Sequence, residues 1–182
     1  VKQHVSLLVL ILAISVTVPA IAQSRNCSIR DLPKGIADII GSKYAGWRPE
    51  QISDLGPDDH ELWAKAHGDT CPGIAIGHFQ SNDQVTYAVL LLTKDAPAQG
   101  YKFLLFNEDR SGTFGSILVG HVEGKNAGQP VIYRVPPGEY SDPETGQSVK
   151  TKLDSVLIEW IEAAAQLYYW SGSKYHKLQV QD

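Results

Sequence analysis

From Ile74 to the end of the chain, short runs of β-branched and aromatic residues alternate with clusters of Gly, Pro, Asn, Asp and Ser. The runs are Ile74–Phe79, Val85–Leu92, Tyr101–Asn107, Ser116–Val122, Val131–Val135, Val149–Leu153, Val156–Ile161, Ala165–Trp170 and Tyr175–Val180. Strands at such spacing, joined by glycine-rich turns, predict an antiparallel meander. The first third reads differently. Pro33 suits a first helical turn, and Ile36, Ile39 and Ile40 recur at helical spacing up to Gly41 or Gly46. A second helix is predicted from Pro57 to His67, with Asp58 and Asp59 in its first turn and Gly68 just past its end. Leu62, Trp63 and Ala66 form its expected buried stripe. The expected class is therefore α+β, mostly β, with two short N-terminal helices ahead of the meander.

Two stretches need a decision. Val156 to Leu167 contains Ala163-Ala164-Ala165 and reads as helix or as strand, bend and strand. The second reading is preferred, because Tyr168-Tyr169-Trp170, a Gly turn and Tyr175 form a hairpin pattern. Pro136 to Gln147 is expected to be an exposed loop by composition.

The N-terminus has the form of a signal peptide over residues 1–22. Lys2 gives a positive start, Leu7 to Val18 is apolar, Pro19 breaks the run, and Ala20-Ile21-Ala22 offers a small-x-small cleavage site. The apolar stretch falls short of the ~20 residues a span requires. Cleavage removes one lysine and no acid, moving the formal charge from −4 to −5 and leaving residues 23–182 as a single β-rich domain. A mildly acidic chain is poorly suited to nucleic acid, which calls for basic patches. No membrane span is expected after cleavage. The expected location is periplasmic or secreted.

Cys27 and Cys71 are the only cysteines. An isolated pair in an oxidising compartment is most simply a disulfide. Neither has a ligand at C-x-x-C or C-x-x-H spacing, which argues against metal.

Between Ile74-Ala75-Ile76 and Tyr87–Leu92 lies Gly77-His78-Phe79-Gln80-Ser81-Asn82-Asp83-Gln84-Val85-Thr86. This segment, within a hairpin at 74–92, resembles one FG-GAP or VCBS-type repeat, which reads Gly-Asp-Phe-Asp-Gly-Asp-Gly-x-x-Asp before an apolar strand. In that family the carboxylates at loop positions one, three, five and nine hold calcium. Here those positions are His78, Gln80, Asn82 and Thr86, and Asp83 stands where the family has glycine. Calcium takes six to eight oxygens with carboxylates supplying most of the charge. The resemblance thus implies a hairpin that keeps the fold without the metal, with Ile76 and Val89 buried and His78–Thr86 as its turn. Trp63 to Leu92 and Leu167 to Tyr175 are also similar to exported, uncharacterised bacterial single-domain proteins carrying one such motif. One copy cannot build a propeller, whose blades each need four strands.

The catalytic templates fail one by one. His60 and His67 stand seven residues apart, about 10 Å along a helix. That is too far to share a zinc, and a solvent-facing pair is expected. No Gly-x-Ser-x-Gly elbow exists; Ser111, Asp109 and His121 are the nearest serine constellation. Asp58 and Asp59 fit a helix start, and Glu159 and Glu162 fit solvated strand or bend residues. The remaining binding candidate is the aromatic C-terminal hairpin. Alternation puts Tyr168 and Trp170 on one face and Tyr169 on the other, with Tyr175 following the turn. Core packing of these rings is favoured, and an exposed side would offer Tyr168, Trp170 and Tyr175 to a protein, peptide or glycan. The expectation is an exported, non-catalytic binding module without a cofactor. The alternatives are a small extracytoplasmic hydrolase with a site scattered in sequence and a secreted inhibitor or immunity-type protein.

Overall fold

A computed structural model describes residues 27–124 and 128–181. The predicted signal segment lies outside the described residues. Along the chain come helix α1 (Lys34–Lys43), strand β1 (Trp47–Pro49), helix α2 (Pro57–His67), then β2 (Ile74–Ser81), β3 (Gln84–Thr93), β4 (Gly100–Glu108) and β5 (Phe114–Glu123). β6 (Val131–Val135), β7 (Glu139–Ser141), β8 (Ser148–Lys150), β9 (Ser155–Trp160), β10 (Ala164–Trp170) and β11 (Tyr175–Gln181) complete it. The class is α+β, mostly β, with both helices ahead of the antiparallel strands that follow from β2. Among the described residues no helix is long and apolar enough to cross a membrane.

The strands divide into two principal sheets. In the first, β1 and β2 share one flank of β3, and β4 and β5 follow on the other. The second runs β11-β10-β9-β6, and β7 with β8 forms a separate two-stranded hairpin. The near-continuous apolar runs in β3 and β4 follow from the first sheet being covered on both faces. Ala88, Leu90, Leu92, Phe103 and Leu105 pack toward Ile132, Val156, Ile158 and Tyr168 of the second sheet. Val89, Leu91, Leu104 and Phe106 face the other way, onto Ile36 and Ile40 of α1 and the Cys27–Cys71 pair. The far face of the second sheet buries Leu157, Leu167 and Leu178 under Tyr140 and Val149 of the β7–β8 hairpin.

Cys27 and Cys71 form a disulfide with Cα atoms 5.2 Å apart. Disulfides persist in oxidising, extracytoplasmic surroundings. The strand–bend–strand reading of Val156 to Leu167 is met by β9, a turn and β10. Three local expectations are corrected. The stretch Pro136 to Gln147 is not simply a loop, since Glu139–Ser141 pairs with Ser148–Lys150 and Tyr140 reaches the core of the second sheet. In α2 only Trp63 is buried; Leu62 is half-buried and Ala66 exposed, because the helix rests on the sheet through one large ring. Ile76 is half-buried at the margin of the α1-side core, beside Tyr87 and Phe114, whereas Val89 is fully buried.

Candidate functional site

The two sheets are closed along one flank and open along the other. On the closed flank β2 lies against β6, and the Ile132 N–H donates to the Pro72 carbonyl at 2.8 Å. On the opposite flank β5 ends the first sheet and β11 ends the second. The space between them is a cavity of about 610 Å³. Tyr101, Trp160, Tyr168 and Tyr175 supply its rings, and Gln166, His121, His176 and Lys177 its polar wall. A second hollow continues along the mouth between Ile117–Val119 and Trp170, Lys174 and Tyr175. Val119 and Tyr175 line both.

Local sequence explains how the cleft is shaped. The pairing of β4 with β5 slips between Phe103↔Gly120 and Leu104↔Leu118, so Val119 is an extra, unpaired residue. Such a bulge bends a strand and re-aims its side chains, here at the mouth of the cleft. Gly120 permits the approach of the second sheet, since a Cβ there would stand 3.2 Å from the Tyr168 hydroxyl. The rings interlock edge to face: Tyr101 with Trp160 at 6.0 Å and Phe103 with Tyr168 at 5.1 Å between centroids. Trp170 and Tyr175, cross-strand partners, tilt together at 4.9 Å.

The predicted trio is brought together. Tyr168 is buried in the inter-sheet core, while Trp170 and Tyr175 are half-buried at the mouth. Burial pushes the Tyr168 hydroxyl up to about 12, with Tyr101 adding to the effect. The Tyr175 hydroxyl, also pushed up by burial, is enclosed with no hydrogen-bond partner. Among the described residues the exposed large apolar side chains are Ile117 at 40%, Leu118 at 47% and Val122 at 37%, and all sit on β5. Sequence reasoning did not single out β5, because nothing in its composition says that it ends a sheet.

Of the degenerate calcium positions, His78, Gln80 and Thr86 are strand residues, and Asn82 alone lies in the turn. The turn narrows to Asn82-Asp83, with β2 reaching Ser81 and β3 starting at Gln84. Each position already has protein partners or neighbours. The His78 N–H donates to Asp154 at 2.9 Å and its Nδ1 lies 3.2 Å from the Gln84 carbonyl. The fully buried Thr86 donates its hydroxyl to Asn107 at 2.8 Å. Gln80 and Asn82 line a hollow with Lys150 and Lys152, cations that oppose calcium. Among the described residues no group of three or more His, Cys, Asp or Glu is arranged to hold a metal ion.

The other chemical candidates separate. Asp109 accepts from the Ser111 N–H and hydroxyl and from the Thr113 N–H, which makes it a turn cap; hydrogen bonding holds its carboxyl below the usual range. Ser111 lies in the β4–β5 turn, whereas His121 pairs with Lys102 toward the other end of that hairpin. His60 is exposed, but His67 is not: its ring stacks on Trp63 at 4.1 Å and meets Tyr133 at 4.5 Å. Glu159 is likewise not a free solvated group, since Tyr133 donates its hydroxyl to it at 2.8 Å. Helix α2 comes to rest on the second sheet there, a contact between residues 67 and 133 that no sequence spacing announces. Compared with protein-family models, curated proteins and solved structures, the chain finds no match.

Proposed function

We propose that this chain is an exported, non-catalytic binding module whose open flank takes an extended acidic peptide segment of another protein. The observation that carries it is the coincidence, on one flank, of an unpaired sheet edge, the exposed apolar residues of β5 and the aromatic cleft behind them. An extended peptide adding to β5 gains main-chain hydrogen bonds from the edge, and its alternate side chains reach the cleft. Charge selects the peptide. The lining of cleft and mouth includes Lys174, Lys177, His121 and His176 and no carboxylate, on a chain whose net charge is −4. The enclosed Tyr175 hydroxyl adds a donor without a partner.

Export is supported by the signal-like segment and by the disulfide. The FG-GAP-like hairpin serves, on this reading, as a metal-free frame that fixes β2 and β3.

The test is a display selection of random peptides on the disulfide-bonded protein, followed by affinity measurement on Leu118→Lys and Trp170→Ala variants. Acidic, β-prone peptides whose affinity falls at least tenfold in both variants are expected. Selected peptides that are basic, or that bind both variants unchanged, overturn the proposal. So does a neutral glycan that displaces them from the cleft.

A further inference from the structure

A second cavity, on the far side of the second sheet, has the opposite polarity. It measures about 290 Å³ and lies where α2 crosses β6 and β9. Leu62, His67 and Tyr133 form one wall, with Trp63 behind them at 2% exposure. Glu159 and Glu162 form the other, and no lysine or arginine lines it. The negative character has three sources in different elements. Glu159 belongs to β9 and is held in place by the Tyr133 hydroxyl at 2.8 Å. Glu162 belongs to the β9–β10 turn, where it occupies a left-handed conformation at φ 60°, unusual for a glutamate. His67 is the last residue of α2, so the helix ends at the cavity and brings the negative end of its macrodipole there. Burial lowers the affinity of the His67 imidazole for a proton, with Glu159 partly opposing, which favours the neutral ring at neutral pH.

Aromatic faces beside carboxylates form a recognition surface for organic cations, because the ring quadrupole and the carboxylate charge attract the same ion. A hydrated metal ion gains nothing from the rings, and an anion meets two like charges. We propose that this cavity is a binding site for a small organic ammonium ion, its head group against Glu159 and Glu162 and its alkyl groups against Tyr133, His67 and Leu62. The volume suits a molecule of a few carbon atoms, below the usual size of drug-like sites. The site shares no lining residue with the inter-sheet cleft, so it stands or falls independently of the peptide proposal.

The probe is choline, paired with its uncharged isostere 3,3-dimethyl-1-butanol and with Nα-acetyl-lysine methylamide. Each is titrated into the intact disulfide-bonded protein while the ring signals of Tyr133 and His67 are followed by NMR. Choline is expected to shift both rings and to bind at least tenfold more tightly than the alcohol. Glu159→Gln keeps an acceptor for the Tyr133 hydroxyl and is expected to weaken choline at least tenfold. Glu162→Gln, at an exposed turn position, gives the same direction with little structural risk. Equal binding of choline and the alcohol, or an unchanged affinity in both variants, overturns the assignment. Tighter binding of the lysine derivative than of choline also overturns it, by showing that the occupant is a peptide side chain.

Discussion

Replacing Glu50 with Gln isolates the most unusual ionisable group of the fold. Glu50 follows β1 on the closed flank and is fully buried, and neither carboxyl oxygen makes a hydrogen bond. Burial pushes its carboxyl well above the usual range. The nearby Gln129 amide and the Arg48 guanidinium offset part of this, and the Asp54 and Asp59 carboxylates add to it. In the unfolded chain the group ionises near its ordinary value of 4.5. Between that value and the folded one, the folded state keeps a proton that the unfolded state has released. Stability is therefore fully present below pH 4.5 and falls as pH rises, at about 1.4 kcal/mol per pH unit, until the folded carboxyl itself ionises. Glutamine has nearly the same shape and no proton to lose. The difference in unfolding free energy, variant minus parent, is expected to rise by about 1.4 kcal/mol per pH unit from pH 5 upward. Urea denaturation at half-unit pH steps measures it, and subtracting the two curves cancels the other titrating groups. Parallel curves from pH 5 to 8 would refute the reasoning, because they would show that Glu50 ionises in the folded protein as it does in water.

The disulfide closes a loop with a sequence separation of 44, for which the chain-entropy treatment gives about 4 kcal/mol. Urea unfolding with and without a reductant should show a loss of that order, and a change under about 1 kcal/mol would mean the N-terminal segment is held by packing instead. Gly73→Ala is expected to cost about 1–3 kcal/mol or to prevent folding. A Cβ there would lie 2.5 Å from the Glu50 nitrogen and 2.7 Å from its carbonyl oxygen. An unchanged denaturation midpoint would show that the β1 connection yields easily.

The elements were legible where local chemistry decides them. Pro57 at the first turn, the acids beside it and Gly68 beyond His67 delimit α2, and β-branched and aromatic runs between turn clusters delimit β2 to β5 and β9 to β11. β1 escaped notice because it has three residues and ends in a proline, and its strand character comes only from lying along β3. β7 escaped because Gly138, Pro143 and Gly146 around it carry turn chemistry that the β7–β8 hairpin itself uses. The aromatic trio was legible in part. Alternation puts Tyr168 and Trp170 on one face, and the turn returns Tyr175 beside Trp170. That β5 lies opposite them depends on two sheets packing across about 50 residues of intervening chain, a tertiary fact with no local signal. The meeting of His67 with Tyr133, and of Tyr133 with Glu159, was illegible for the same reason.

The closed and open flanks differ in what holds them. On the closed flank the disulfide anchors the N-terminal segment, and Gln51 reaches the Cys27 carbonyl at 2.7 Å. Arg48 grips Asp54 with two hydrogen bonds, at 2.5 and 2.6 Å, and Gln129 donates to the Asp54 carbonyl at 2.8 Å. Burial raises the Asp54 carboxyl, but Arg48 and the Gln51 N–H outweigh it and leave it below the usual value. This pair therefore contributes stability above the ordinary carboxylate range and loses it as pH falls, the opposite sign to Glu50. The two contributions are both fully present only between the ordinary values of 3.8 for Asp54 and 4.5 for Glu50. Among the described residues no disulfide or ion pair joins β5 to β11; rings and polar side chains line the space between them, and the enclosed Tyr175 hydroxyl is unpaired. A fold fastened on one side tolerates polar gaps and bare edges on the other. Substitutions such as Leu118→Lys are therefore expected to change the proposed binding surface with little effect on stability, whereas equally small changes at Gly73 or Asp54 act on the fold itself.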